Sequence, residues 1–287
     1  MIFEYESYKD SSDEMLAIIN AYISVCPDSS NGYIVRGFYN EMKGYYDKAI
    51  KDYNKAVQIE NDNYFYYILL AQAEWENDDN LTALLTIDLA IMYKPTDAYS
   101  YYIRGNIYNS SQQYDLALDD INKAIELDEN IISCHYLRPT LILFVKKDFD
   151  AAIESLNNSI NLFPNNSKLY ADRARFYCVK RELELALSDA SKAIELEPED
   201  GDAYTIRALI YYHMGKYADA YKDADKGVKL NPQESFSYYM RGLVKIGSGE
   251  INSGCEDLKK AGTLKSENPL MNQLKEFFGG FYDNYCK

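Results

Sequence analysis

The apolar positions of this chain follow a helical period, and the helical stretches come in pairs joined by short polar turns. The pairs themselves recur. Gly44-Tyr45-Tyr46-Asp47-Lys48-Ala49-Ile50 returns as Gln112-Gln113-Tyr114-Asp115-Leu116-Ala117-Leu118, and again as Gly215-Lys216-Tyr217-Ala218-Asp219-Ala220-Tyr221. The spacing is 34 residues or a multiple of it, with one extra residue. Seven repeats tile residues 30–268, beginning near Ser30, Tyr64, Ala98, Ile132, Ser167, Gly201 and Ser235. The extra residue falls in the fourth, around the turn at Val145 to Asp148.

The flanks read as covers for the exposed ends of the array. Within residues 1–29, Ser11 to Val25 form an amphipathic stretch closed by Pro27, like the second half of a degenerate repeat. Residues 269–287 carry Leu270, Leu274, Phe277 and Phe281 at helical spacing and predict a final capping helix. The expected organisation is a single all-α solenoid over 1–287. Pro139 lies inside the first helix of the fourth repeat, where it removes a backbone donor. It predicts a bend or loosening that separates repeats one to three from five to seven.

Three series of small residues keep register through all seven repeats. They are Gly37, Ala71, Gly105, Pro139, Ala174, Ala208 and Gly242; then Ala49 through Gly254; then Ala56 through Ala261. Small side chains at fixed places let adjacent helices approach closely. Together with the aromatic positions and the closing prolines Pro95, Pro164, Pro198 and Pro232, this pattern resembles the tetratricopeptide repeat, over more than four-fifths of the chain.

The resemblance implies a right-handed superhelix of antiparallel helix pairs, whose first helices line a face that binds an extended peptide or a partner's helix. Carried onto this sequence, the inward positions give Phe38, Ile68, Trp75, Tyr102, Asn106, Tyr136, Arg175, Tyr212 and Tyr239 as groove candidates. The expected groove is aromatic and largely uncharged. Rings of this kind supply contact area and amides bond a peptide backbone, although the same rings can also pack on adjacent helices. Asn106 occupies the place that the family uses to hold a bound backbone. One subgroup of the family clamps a terminal carboxylate with Lys and Asn. The corresponding fifth positions here run Ile34, Ile68, Tyr102, Tyr136, Ala171, Thr205 and Tyr239, with no basic residue, so the resemblance stops short of that clamp.

At the family's leucine position this chain has Arg in six repeats, and in five of those an acid follows sixteen residues later. The pairs are Arg36 with Asp52, Arg104 with Asp120, Arg173 with Asp189, Arg207 with Asp223 and Arg241 with Asp257. Arg138 has Ser155 at the aligned place, and the second repeat has Leu70 and Thr86. A hairpin turn at the fifteenth position sets the two places opposite each other, which predicts a ladder of bidentate pairs inside each hairpin. A contact to the neighbouring repeat's Arg is the second choice. A matched acid for nearly every Arg argues against an anion-binding stripe.

Composition narrows the partner. With 30 basic and 45 acidic side chains the net charge is −15, and no basic cluster interrupts it. Nucleic acid and anionic membrane are therefore not expected partners. No apolar run is long enough to cross a bilayer. Met1 to Asp13 lacks the basic and apolar regions of a signal peptide, so a cytoplasmic location is expected, with a periplasmic or secreted one for a processed N-terminus. The five cysteines have no metal spacing and are expected as reduced thiols in such a compartment. Cys255 and Cys286 are the pair that can meet if the last helix folds back. His135 and His213 stand far apart, and no phosphate loop or nucleophile elbow is present. No cofactor, metal or catalytic residue is expected. The sequence reads as a protein-binding scaffold, monomeric or weakly dimeric. A self-associating structural solenoid comes next, and an enzyme or its regulatory part last.

Overall fold

The computed structural model describes residues 2–264 and Cys286. Helix α1 (Ile2–Val25) precedes seven helical pairs. The first helices are α2 (Ser30–Met42), α4 (Tyr64–Glu76), α6 (Ala98–Ser110), α8 (Ile132–Lys146), α10 (Ser167–Val179), α12 (Gly201–His213) and α14 (Ser235–Gly247). The second helices are α3 (Tyr46–Ile59), α5 (Asn80–Tyr93), α7 (Tyr114–Leu127), α9 (Phe149–Leu162), α11 (Leu183–Leu196), α13 (Tyr217–Leu230) and α15 (Ile251–Thr263). Among the described residues there is no strand. The fold is an all-α helical repeat, and every first helix begins where the sequence period places it. The capping helix expected at 269–287 lies outside the described residues, except for Cys286.

The chain forms two compact units, Met1–Val145 and Lys146–Lys287. Within each unit the two helices of a hairpin pack together and the second helix packs on the next first helix. All three small-residue series are buried, including Ala49, Ala83, Ala117, Ala152, Ala186 and Ala220 at zero exposure. A Cβ added to Gly37 would collide with the Tyr53 ring, and one added to Gly242 would meet the Gly254 carbonyl at 2.8 Å. The missing side chain is therefore what lets α2 meet α3 and α14 meet α15. Ile68, Ile87, Ile103 and Ile107 fill the space between the second and third hairpins, each contributing about 2–3 kcal/mol of burial.

The turns explain the strict period. Each hairpin reverses through a residue with positive φ: Gly44, Asp78, Gln112, Lys147, Arg181, Gly215 and Gly249. Most first helices then start on a side-chain cap, such as Asn63 accepting from the Phe65 amide and Asp97 from the Ser100 amide at 2.8 Å. The extra residue of the fourth repeat corrects the expectation of a longer turn. It lengthens α8, which has 15 residues where the other first helices have 13, and the turn itself is short. Helix α8 continues through Pro139, and the division between the two units falls after it, between Val145 and Lys146.

At the start, α1 covers α2. Ile19 is buried, and Gly32 of α2 lies so close to Ile23 that a Cβ there would approach it to 2.7 Å. The helix begins earlier than the amphipathic stretch from Ser11 indicates.

The Arg ladder is a bridge as well as a rung. Arg104 Nε and Nη2 each donate to Asp120 at 2.8 Å. The same fork closes Arg36 on Asp52, Arg173 on Asp189, Arg207 on Asp223 and Arg241 on Asp257. Its other nitrogen reaches the preceding repeat, sixteen residues back: Arg36 to Asn20, Arg104 to Asp88, Arg173 to Asn157 and Arg241 to Asp225. Arg138 makes that backward bond, from Nε to Asn122 at 2.7 Å. Thus the following repeat's Arg does reach back, but to an amide or acid two places after the ladder position (Ile18, Thr86, Asp120, Ser155 and Asp223 in turn) and not to the ladder position itself.

Tyrosines flank the guanidinium. Arg104 lies over Tyr101 and Tyr108, Arg173 over Tyr170 and Tyr177, and Arg207 over Tyr204 and Tyr211. At least eight of the 29 Tyr, with Tyr33 and Tyr238 among them, have this use. The first tyrosine can also tie the hairpin to the chain before it, as Tyr101 does by donating to the Pro95 carbonyl and Tyr170 to the Pro164 carbonyl. His135 takes that tyrosine's place in the fourth repeat, its Nε2 2.9 Å from the Glu129 carbonyl. Burial lowers its pKa, which keeps the ring neutral with Nε2 as donor.

Candidate partner-binding face

The first helices of the unit Met1–Val145 carry most of the groove candidates. Phe38 on α2 is exposed and meets Tyr53 edge to face at 5.9 Å. On α4, Phe65 is exposed and Trp75 is half-buried, its indole nitrogen donating to Ser110 at 3.1 Å. On α6, Tyr99 is exposed and lies against Tyr102, ring centres 5.6 Å apart. Trp75 and Tyr102 both rest on the cluster of Ile68, Ala71, Ile103 and Ile107. Tyr136 on α8 is half-buried.

Ile68 corrects the sequence reading, because at 1% exposure it is the floor under these rings and not a contact. Asn106 donates to the Tyr102 carbonyl at 2.8 Å. One amide hydrogen is thereby spent within its own helix. The Oδ1 and the second hydrogen remain to meet a peptide backbone. The arrangement is an apolar floor, a rim of half-exposed rings and one oriented amide.

The unit Lys146–Lys287 is different. Arg175 is held by Asp172 of its own helix at 2.6 Å. The charge of Arg175 is therefore offset by an acid that the inward positions did not include. Burial raises the Asp172 pKa against the pull of Arg175 and Lys168. Arg181 Nη1 lies 3.0 Å from His213 Nδ1. That contact needs a neutral imidazole accepting there, consistent with a His213 pKa lowered by burial and by Arg181. Tyr212 is half-buried and meets His213 and Tyr217 edge to face. Tyr239, at 6% exposure, is a core residue stacked with Phe236 and not a groove anchor. The uncharged aromatic face is thus a property of the first unit, while the second presents ion pairs.

The ladder acids are committed to their arginines. Asp52, Asp120, Asp189, Asp223 and Asp257 are buried and each is held by its Arg. Burial works against the charge of Asp257, yet hydrogen bonds from Arg241 and Lys245 carry its pKa below the ordinary range. Among the described residues, no group of three or more His, Cys, Asp or Glu is placed to hold a metal ion, and no helix is long and apolar enough to cross a membrane.

The thiols depart from expectation at one place. Cys255 and Cys286 are joined as a disulfide, with Cα atoms 5.5 Å apart, and both pack against the core of α12, α14 and α15. Cys26, Cys134 and Cys178 are free. Their place in the C-terminal region left this pairing open in the sequence, and the reading as reduced thiols fails at these two cysteines alone.

Models of the tetratricopeptide repeat match residues 33–63, 98–131 and 190–222. No curated protein sequence matches this chain. Among solved structures, yeast Tom70 is similar over 97% of this chain at 18% identity and a TM-score of 0.69; the chain spans 60% of that protein's length. A tetratricopeptide repeat protein from Parabacteroides merdae is similar over 86% of this chain and 97% of its own, at 19% identity and a TM-score of 0.69. YrrB, described as a tetratricopeptide repeat protein with an unusual peptide-binding site, is similar over 64% of this chain and 95% of its own, at 21% identity and a TM-score of 0.50.

Proposed function

We propose, from the premise that this chain carries tandem tetratricopeptide repeats, that it is a protein-interaction scaffold holding an extended, apolar or aromatic-bearing segment of a partner. The segment lies on the first-helix face of the unit Met1–Val145. The observation that carries this reading is the exposure of Phe38, Phe65 and Tyr99 on the first helices of a unit whose core is already closed by residues such as Ile68. Folding does not require these rings to stay in water, and a row of aromatic side chains beside an oriented amide is the composition of a binding surface. A peptide site is a described property of YrrB, a protein of the same fold. The charge of −15 leaves nucleic acid and anionic membrane as poor partners.

The Cys255–Cys286 bond argues for an oxidising compartment rather than the cytoplasm expected from the N-terminus. The scaffold reading does not depend on that choice.

Affinity capture from source cells tests the function. Wild type and Tyr102→Ala/Asn106→Ala are used as baits side by side. The account expects partners retained by wild type to be lost by the double variant. Equal capture by both would remove the face from consideration.

A further inference from the structure

Helix α5 breaks the rule followed by the other second helices. Its inward side is complete, with Ala83, Ile87 and Ala90 fully buried. Its outward side carries Leu81, Leu85, Leu89 and Met92, four exposed apolar side chains in a row one turn apart; Leu81 is 73% exposed and Leu85 64%. The corresponding places on α3 hold Asp47, Lys51, Lys55 and Gln58, and those on α7 hold Asp115, Asp119, Lys123 and Glu126. In the other unit those places are also polar, apart from Ala218. Nothing in the hairpin requires leucine there, because six sister helices are built without it.

Because the repeats stack in order, α5 lies between α3 and α7 in the layer of second helices. The two flanks have opposite charge. On the α3 side Lys48, Lys51 and Lys55 outnumber Asp47. On the α7 side Asp115, Asp119 and Glu126 outnumber Lys123, which is tied to Glu126 at 2.9 Å. A surface with an apolar stripe, a positive edge and a negative edge is complementary to its own copy in one orientation. A twofold axis parallel to α5 sets the α3 flank of each copy on the α7 flank of the other. An axis across the helix sets like charge on like.

We propose that the outward face of α5 is the contact surface of a homodimer, with two copies paired about a twofold axis parallel to that helix. The leucines face their counterparts, and Lys51 of each copy faces Asp119 of the other, since both stand level with Leu85. Four side chains cover less than the roughly 800 Å² that each partner of a stable interface buries. The charged flanks are therefore part of the contact, and the dimer dissociates on dilution and with added salt.

Sedimentation equilibrium on the full chain tests this. Wild type is expected to show a concentration-dependent dimer. Leu85→Glu, a change at an exposed site that leaves the helical circular dichroism intact, is expected to raise the dissociation constant by about 30-fold or more. Lys51→Glu and Asp119→Lys should each weaken the dimer, and the two together should restore it. A wild type that remains monomeric at the highest concentration overturns the proposal. So does a dimer indifferent to Leu85→Glu, or a double charge swap that fails to recover association.

Discussion

Arg104 and Asp88 belong to different hairpins, yet Arg104 Nη1 donates to Asp88 at 2.6 Å while the same guanidinium grips Asp120 in its own hairpin. One side chain thus fixes both the register within a repeat and the approach of the repeat before it. Removing it leaves Asp120 buried and unpaired. Arg104→Ala is expected to lower stability by about 3–5 kcal/mol, read from the midpoint of urea unfolding. The second repeat shows how the position is built without ions, with Leu70 and Thr86 in place of the pair. Arg104→Leu combined with Asp120→Thr should therefore recover more than half of the loss. A double variant as unstable as Arg104→Ala would show that the ladder supplies net stability and not register alone.

The second repeat has its own cost. Glu74 is buried on α4, one of its oxygens has no hydrogen-bond partner, and burial raises its pKa from 4.5 to about 7, with Thr86 lowering it in part and Asp79 adding to the rise. The folded-state value lies above the unfolded one, so the neutral form is the one that the fold favours. The associated stability is complete below about pH 4.5 and is lost as pH rises through about 7. Glu74→Gln should remove that dependence and raise stability at pH 8 by on the order of 3 kcal/mol. Unfolding midpoints across pH 5 to 8 provide the check, and parallel profiles for the two proteins would contradict the assignment.

The turns give a third prediction. Gln112 is held at φ 58°, a conformation that favours glycine, at the place where Gly44 and Gly215 stand in other repeats. Gln112→Gly is expected to raise stability by about 0.5–1 kcal/mol, and Gly215→Ala to lower it by a similar amount. Thermal unfolding of the two variants against wild type measures both signs.

The disulfide yields a count. Alkylation of the unfolded chain without reductant should label three thiols, Cys26, Cys134 and Cys178, and with reductant two more. Five labels without reductant would contradict the bond. Reduction should also destabilise the seventh repeat, since closing a loop with a sequence separation of 31 contributes about 3–4 kcal/mol.

Much of the architecture was legible because the repeat states it seven times. A small residue such as Ala117 is uninformative alone, but its recurrence at 34-residue spacing places it at a helix contact. The Arg–Asp rungs were legible for the same reason. The backward bonds to Asn20, Asp88, Asn122 and Asn157 were missed, although the Asn or Asp recurring two places after the ladder position, whatever residue holds it, was the signal for them. Groove membership was the weak point. Position in a helix distinguishes an inward face from an outward one, but it does not say whether a neighbouring helix covers the residue. Ile68 and Tyr239 are covered, and Phe38 is not. Asp172 escaped notice because it occupies no inward position, yet it turns far enough to hold Arg175.

For the proposed binding of an extended apolar segment on the first-helix face of the unit Met1–Val145, the chain carries its own reporter. Trp75, its one tryptophan, stands on that face beside Ser110. Peptides selected from a displayed library on wild type can be titrated against the Trp75 emission, with wild type, Tyr102→Ala/Asn106→Ala and Leu85→Glu compared. The account predicts aromatic or aliphatic sequences that shift the emission, a dissociation constant at least about 10-fold higher for the double variant, and no change for Leu85→Glu. Selected peptides that bind without moving the Trp75 emission, or that bind the double variant as tightly as wild type, would contradict it.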